Sequence, residues 1–435
     1  MNRIISYIKQ DWALMRQERL FSSIYILGTG LSIMVVMVLA TVIYLRVAPI
    51  YPETNRNRML VVMGGSVKLK EGARGMWASD IAPATMEKIF APSQHLEKLA
   101  IFRSETRYLQ AEGTLDEEQS VTILHVNADY WTVFPFHFVD GKAFTEADFT
   151  SGIATAVIAE SLARKLFGTN KAAGQTVVLD FKPYRVCGVV RDASFITWRS
   201  FAQVYIPYTA VKGYDDAFGP ENLLGNMRAV LLARSADDLD ALHADVTENI
   251  RRLNLTLPEH NFSLHGQPDR QWQSALRGWA SEDTDFTKKI MQYLLVFLLM
   301  LLIPAVSLSG MIESRMERRL SELGIRRSFG APKALLMWQI IAENFVFTLL
   351  GGALGLLLSY AVVVFGRSWV ISLGQQMVFA PQGDVDILIT PSMLLNFPLF
   401  IFALVICFLL NLLAALIPAW RASHREIVYS LNAKQ

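Results

Sequence analysis

The sequence SELGIRRSFGAP, from Ser321 to Pro332, lies between two long apolar stretches and governs how the chain is organised. The basic residues in and around it are Arg315, Arg318, Arg319, Arg326, Arg327 and Lys333. Lysine and arginine concentrate in the cytoplasmic loops of membrane proteins. Gly330 followed by Pro332 predicts the end of one helix and the start of another, because glycine accepts a left-handed closing residue and proline suits a first helical turn. The stretch therefore predicts a short helix at a membrane surface, a corner and a long membrane helix.

On either side of this stretch, four windows of the chain contain no charged side chain. The windows are 20–45, 290–312, 344–366 and 387–420. Each reaches the ~20 residues that a helix needs to cross a hydrocarbon core about 30 Å thick. The 435-residue chain is 52% hydrophobic with a formal net charge of +2, which argues against the basic surface of a nucleic-acid-binding protein. The windows predict an α-helical membrane protein with four transmembrane helices.

Short charged segments predict the orientation of these helices. Residues 1–20, 313–333 and the C-terminal tail are rich in lysine and arginine, whereas 367–395 contains only Arg367. Because positive charges are retained on the cytoplasmic side, both termini are expected in the cytoplasm. Membrane lipid is then a partner of the chain, and the long stretch 46–289 lies outside the membrane.

The predicted segments follow from these assignments. In chain order they are a cytoplasmic amphipathic helix (1–20), a first span (21–45), an extracytoplasmic domain (46–289), a second span (290–312), a cytoplasmic coupling helix (313–333), a third span (334–366), a short outer loop (367–395), a fourth span (396–419) and a cytoplasmic tail (420–435).

The extracytoplasmic domain is expected to be α+β with two lobes. Helices and strands alternate near both of its ends, which predicts one α/β lobe built from the two halves of the domain. The segment at about 135–210 is richer in strands and predicts an inserted β-rich lobe. Trp272, Leu276 and Trp279 recur at helical spacing, so a helical stalk continuous with the second span is expected.

Motifs of known catalytic or metal sites are missing from the sequence. It contains no GxxxxGK[ST], HExxH, GxSxG or CxxC, so the chain does not itself supply an ATPase. Cys187 and Cys407 fall in different predicted segments and are expected to stay unpaired as small apolar residues. His260 and His265 lack the spacing of a metal site. A catalytic site assembled only by the fold stays open at this level.

Three stretches resemble the MacB/FtsX-like permeases of ABC transporters. SELGIRRSFGAPKALLMWQIIAENFVFTLLGGALGLLL resembles the coupling segment and following membrane helix of that family. VDGKAFTEADF, TAVIAESLARKLFG, GQTV and YRVCGVVRD, within 139–192, resemble its MacB-like periplasmic core domain. IPAWRASHREIVYSL resembles its closing motif. The resemblance implies a bacterial inner-membrane protein with a large periplasmic domain of two lobes.

The resemblance also implies partners and a coupling site. A separate ABC ATPase, which carries ATP and Mg, would dock on the cytoplasmic helix, while this chain binds no cofactor and pairs with a second copy or a paralogue. A periplasmic adaptor and an outer-membrane channel are further partners that the family allows. The coupling residues are Glu322, Leu323, Gly324, Ile325, Arg326, Arg327, Phe329, Gly330 and Ala331. Phe329 departs from the aliphatic residue that is commoner there in the family.

The third span carries small residues at four-residue spacing, at Gly351, Gly355 and Ser359. Small residues let membrane helices approach closely, because lipid offers no hydrophobic drive for their association. The windows hold no Lys, Arg, Asp, Glu or His, which favours transmission of motion over a polar pore. The family resemblance, taken with these features, implies an ABC permease powered by a separate ATPase that drives efflux or extraction of a peptide, drug-like or lipoprotein substrate by mechanotransmission. The alternative is an FtsX-like signalling subunit that activates an extracytoplasmic enzyme such as a cell-wall hydrolase.

Overall fold

A computed structural model describes residues 19–70, 75–111, 119–300, 332–366 and 400–409, together with 302, 398, 412 and 413. The described residues form two compact units. Those before Ile43 and from Thr287 onward make a helical unit, and Ile43–Phe286 make a core domain. Residues 1–18 of the amphipathic helix predicted at 1–20, and residues 313–331 of the coupling helix predicted at 313–333, lie outside the described residues.

Ten helices are described in this part of the chain. They are α1 Arg19–Val47, α2 Pro83–Phe90, α3 Tyr130–Val133, α4 Glu146–Thr150, α5 Glu160–Phe167, α6 Leu239–Thr256, α7 Gln271–Leu276, α8 at 286–300, α9 Lys333–Phe365 and α10 Phe400–Leu409. By length and composition, two described stretches could cross a membrane, Ser22–Val47 in α1 and Asn344–Phe365 in α9. They correspond to the first and third predicted spans.

Fourteen strands are described in the core domain. They are β1 Met59–Val62, β2 Gly65–Leu69, β3 Met76–Ile81, β4 Leu96–Ala111, β5 Gln119–Val126, β6 Phe138–Gly141, β7 Thr155–Ala159, β8 Thr176–Leu179, β9 Lys182–Val190, β10 Val204–Pro207, β11 Leu224–Gly225, β12 Arg228–Ala233, β13 His260–Ser263 and β14 Asp269–Arg270. One sheet has ten strands in the order β14-β1-β12-β4-β5-β10-β7-β9-β6, with β8 paired to β4 and β9. A second sheet has the order β11-β3-β2-β13.

Three hydrophobic clusters fill the core domain. The first includes Phe90 of α2, Leu242 of α6 and Phe262 of β13. The second gathers aromatic side chains around Tyr130, and the third lies beneath α5. These clusters form because the buried strand residues alternate with exposed ones or belong to continuous apolar runs, as central strands of a covered sheet require.

The expected α+β class is confirmed, and one ten-stranded sheet runs through both of the predicted lobes. The sixteen-residue strand β4 is the reason. Its first half pairs with β12, its middle with β5 and its last three residues with β8, so the strands at 135–210 extend the same sheet.

The predicted continuous stalk is wrong. The short helix α7 ends at Leu276, the chain from 277 to 285 is not helical, and α8 begins at 286. Buried hydrogen bonds of Arg277 stabilise the non-helical segment between α7 and α8. Helical spacing in the sequence does not indicate the partners of this arginine.

Candidate force-transmitting site

The end of α1 is held inside the core domain by a buried arginine. Arg56 donates from Nη1 to the carbonyl oxygens of Leu45 at 3.0 Å and Ala48 at 2.6 Å. Its Nε donates to Glu53 Oε2 at 2.8 Å, and both side chains are almost fully buried. The last carbonyl groups of a helix lack partners within the helix, and a cation there also complements the helix dipole. Arg56 therefore caps α1 and fastens it to the domain. We call this contact the first anchor.

A second buried arginine links the first anchor to α7. Arg199 donates from Nη1 to Gln271 Oε1 at 3.3 Å and from Nη2 to Ser274 Oγ at 2.7 Å. Gln271 in turn donates from Nε2 to the carbonyl of Arg46 at 2.7 Å. Burial lowers the pKa of Arg199 to about 10, and Glu53 opposes that shift, so the guanidinium stays charged at neutral pH.

The segment that leads into α8 is held by a third buried arginine. Arg277 donates from Nη2 to Asp269 Oδ1 at 2.8 Å and from Nη1 to the carbonyl of Glu282 at 2.7 Å. Both side chains of the Arg277–Asp269 pair are 1% exposed. Burial raises the pKa of Asp269, and Arg277 acts against that rise. The Arg277 guanidinium also lies 5.5 Å from the ring centre of Phe286. We call this set of contacts the second anchor.

Two further side chains hold the same segment. Gln267 donates from Nε2 to the carbonyl oxygens of Ala280 at 3.0 Å and Gly64 at 3.1 Å. His265 lies between Ser66, whose Oγ is 2.7 Å from Nε2, and Asp283, whose Oδ1 is 2.9 Å from Nδ1.

The order Ser66–His265–Asp283 is that of a hydrolase triad, but the exposure is reversed. A nucleophilic hydroxyl must meet its substrate, and the orienting carboxylate of such a triad is buried. Here Ser66 is completely buried and the Asp283 side chain is 84% exposed. The arrangement therefore attaches the segment to the domain and gives no access for acyl transfer. In the described parts of the chain no group of side chains is arranged to hold a metal ion.

The predicted small residues of the third span lie on α9. A Cβ added at Gly351 would come within 2.8 Å of Thr29 Cβ, and one at Gly355 within 2.7 Å of the Gly30 carbonyl oxygen. The backbones of α1 and α9 therefore approach closely at these two glycines. Ser359 is buried, and its Oγ donates to the carbonyl of Leu356 at 2.8 Å within the same helix.

Polar side chains accompany this close approach. Tyr25 of α1 donates from its hydroxyl to Asn344 Oδ1 at 3.0 Å, and the Tyr25 ring lies 5.2 Å from that of Phe347. In an apolar setting such a hydrogen bond orients two helices, because an unpaired polar group there is costly.

The coupling residues from 322 to 331 lie outside the described residues, so their placement stays a prediction. The anchors were missed by sequence reasoning. Arg56, Arg199 and Arg277 show no shared motif. The partners of Arg56 and Arg277 lie within 11 residues of them, but Arg199 bonds to residues 72 and 75 positions further along the chain. The available signal was weak: charged residues stand close to both ends of the extracytoplasmic segment.

An α+β domain interposed between apolar helices, with both joining segments fastened by buried side chains, is the arrangement of a membrane permease with a large outer domain. The chain belongs to the MacB/FtsX-like permease family. Residues 22–249 match the MacB-like periplasmic core domain, and residues 294–427 match the FtsX-like permease C-terminal domain. The family resemblance of the sequence is thereby confirmed.

Proteins similar to part of the chain are known from several bacteria. The uncharacterized ABC transporter permease YknZ of Bacillus subtilis is 23% identical over 56% of this chain and 58% of its own length. The macrolide export ATP-binding/permease protein MacB of Aggregatibacter actinomycetemcomitans is 25% identical over 55% of this chain and 35% of its own length. The protein of the same name from Agrobacterium fabrum is 26% identical over 60% of this chain and 38% of its own length. The chain thus spans between about a third and three fifths of the length of these relatives.

Solved outer domains of two such proteins are similar to part of the chain. The extracellular domain of YknZ aligns with a TM-score of 0.33 and 17% identity over 46% of this chain and 98% of that domain. The periplasmic region of MacB from Actinobacillus actinomycetemcomitans aligns with a TM-score of 0.34 and 17% identity over 48% of this chain and 91% of that region. Members of this family are inner-membrane permease components of ABC transporters with a periplasmic domain.

Proposed function

We propose that this chain is the permease subunit of an ABC transporter powered by a separate ATPase. Four membrane helices, with both termini in the cytoplasm, would carry the motion of the ATPase to the periplasmic core domain. There the motion drives efflux or extraction of a peptide, drug-like or lipoprotein substrate. The single observation that supports this mechanism most is the pair of anchors, because they fasten the domain to both of the segments through which force must pass.

The energetics of the anchors fit such a role. In each anchor a charged guanidinium donates hydrogen bonds to backbone carbonyl groups. Rotating the arginine side chain away would leave a buried charge without a partner. Breaking a buried ion pair by removing one partner costs roughly 3–5 kcal/mol. A flexible linker would instead absorb a displacement at either end of the domain. A displacement of α1 is therefore passed to the domain rather than lost at its end.

The input of force is assigned to the predicted coupling helix. Leu323, Ile325 and Phe329 would enter an apolar pocket of the ATPase, and Arg326 and Arg327 would pair with acidic residues at its rim. ATP and Mg act on that partner subunit. With one domain and four spans per chain, a second copy or a paralogue completes the transporter, and an adaptor and outer-membrane channel extend it in the periplasm.

The coupling assignment is tested by combining Ile325→Asp with Arg326→Ala. The variant should insert into the membrane but lose co-purification with the ATPase and lose function. Arg315→Ala serves as the control, since it removes a nearby positive charge but leaves the motif intact. Normal co-purification and normal function of the double variant would show that the motif does not couple the two proteins.

Mechanotransmission is tested by cysteine crosslinking between two copies of the chain. One pair of cysteines locks the core domains together, and another locks the first spans at mid-membrane. Locked core domains should abolish function while the ATPase still binds nucleotide. If function survives in that variant and only the mid-membrane lock stops it, the substrate passes between the spans and the mechanism is wrong.

A further inference from the structure

The short helix α7 is bonded at its start to the end of α1, which the first anchor holds, and leads at its end into Arg277 of the second anchor. Its first residue, Gln271, donates to the carbonyl of Arg46 near the end of α1. The residue that follows its last turn, Arg277, donates to the carbonyl of Glu282 on the way to α8. Six helical residues span about 9 Å. The two contacts are therefore held a fixed short distance apart by one rigid element.

We propose that α7 is a strut that joins the two anchors into one mechanical body, with Gln271 and Arg277 as its positioning residues. This inference rests on the proposed function for its role in transmission. Through the strut, a displacement of α1 reaches the segment before α8 without passing through the hydrophobic core of the domain.

Contacts along the sides of α7 keep it from tilting. Arg199 holds both Gln271 and Ser274, which lie one helical turn apart on the same face. On another side the ring of Trp272 lies 5.6 Å from that of Phe286, the first residue of α8. Gln271 and Ser274 are buried, and Arg277 is 2% exposed. These contacts hold α7 on the face that carries Gln271 and Ser274 and at the ring of Trp272.

The base of the strut is fixed to the large sheet. Asp269, which receives Arg277, belongs to β14, and β14 pairs with β1 through Val61 and Leu60. Arg56, which holds α1, lies one short turn before β1. Both anchors therefore rest on neighbouring strands of one sheet edge, and the strut bridges them.

The inference is tested by backbone hydrogen exchange in the full-length protein, without nucleotide and without the ATPase. Gln271→Met removes the contact with α1 and also the hydrogen bond from Arg199, and Arg277→Lys keeps the charge but removes the forked geometry. If the anchors are one body, coupling between them is reciprocal. Each variant should then lose protection both in 43–48 and in 279–285. Protection in the central strand β7 should stay unchanged, which a general loss of stability would not allow.

Arg270→Ala is the matched control. It lies in the same segment but removes only the exposed ion pair with Asp240, and both segments should keep their protection. If each variant alters only the segment that it touches, the anchors are independent and the strut does not exist. If Gln271→Met fails to fold, Arg277→Lys alone decides by its effect on 43–48. A reciprocal loss of protection without any response of the unmodified complex to ATP would leave the strut intact and refute the proposed function instead.

Discussion

Replacing Arg277 with alanine is the sharpest test of the anchors. The change leaves Asp269 with 1% of its side chain exposed and without the guanidinium that faces it at 2.8 Å. It also removes the hydrogen bond to the Glu282 carbonyl. Stranding one member of a buried ion pair costs roughly 3–5 kcal/mol. For a domain of this size, 1 kcal/mol lowers Tm by about 2–4 °C, so a fall of about 6–20 °C is expected.

The assay is thermal unfolding of the detergent-solubilised chain, followed by near-ultraviolet circular dichroism. Arg270→Ala provides the comparison, because its ion pair is exposed and exposed pairs contribute about 0–1 kcal/mol. Combining Arg277→Met with Asp269→Leu should recover part of the loss, since two apolar side chains leave no charge unpaired. A Tm for Arg277→Ala as high as that of Arg270→Ala would refute the reasoning.

Three further expectations concern other parts of the chain. Gly355→Ala should lower the Tm of the purified chain by more than Ala353→Leu, because a Cβ at Gly355 meets a backbone oxygen whereas Ala353 is exposed; equal effects would mean that the close approach is unimportant. Burial acts to raise the pKa of Glu105, but His125 and neighbouring arginines outweigh it and hold this pKa at about 2, below its usual 4.5. Its charge therefore stabilises the fold above about pH 4.5 and this contribution is lost as the pH falls toward 2. At pH 7 Glu105→Gln should have a lower Tm than the parent. This difference should shrink as the pH falls from about 4.5 through about 2, and a constant difference would contradict the assignment. Burial raises the pKa of Cys187 to about 11, so iodoacetamide should modify this thiol at pH 8 much more slowly in the folded chain than after denaturation, as mass spectrometry would report.

Local patterns in the sequence predicted much of the core domain. The residues alone predict a helix at Pro83–Phe90, since proline favours a first helical turn, and a strand at Thr176–Leu179, since the run is apolar; both have these bounds in the structure. The residues of β2 predict no strand, because GSVKL mixes polar residues with a single strong strand former. Its buried face depends on β3 and β13, which are distant in the chain.

The burial of Arg199 could not be predicted, for a different reason. Arg199 is buried because Gln271 and Ser274 receive it, and these partners lie more than seventy residues further along the chain. An isolated arginine in a sequence favours an exposed position, since burial of an unpaired charge is costly. Only the fold supplies the partners. The close approach at Gly351, by contrast, was indicated by spacing alone, because helical periodicity places small residues on one face.

The strand β4 limits how this domain can be recombined. It contributes Leu99 to the first hydrophobic cluster, Phe102 to the second and Leu109 to the third. A chimera that exchanges 135–210 with a relative would give Leu109 and its neighbours a foreign strand in place of β8. The second half of β4 and its partner β5 must travel with the exchanged piece. Chimeras that exchange the second half of β4 and β5 together with 135–210 keep each exchanged strand beside its own partner. Chimeras that exchange 135–210 alone place strands from two different proteins side by side in the sheet.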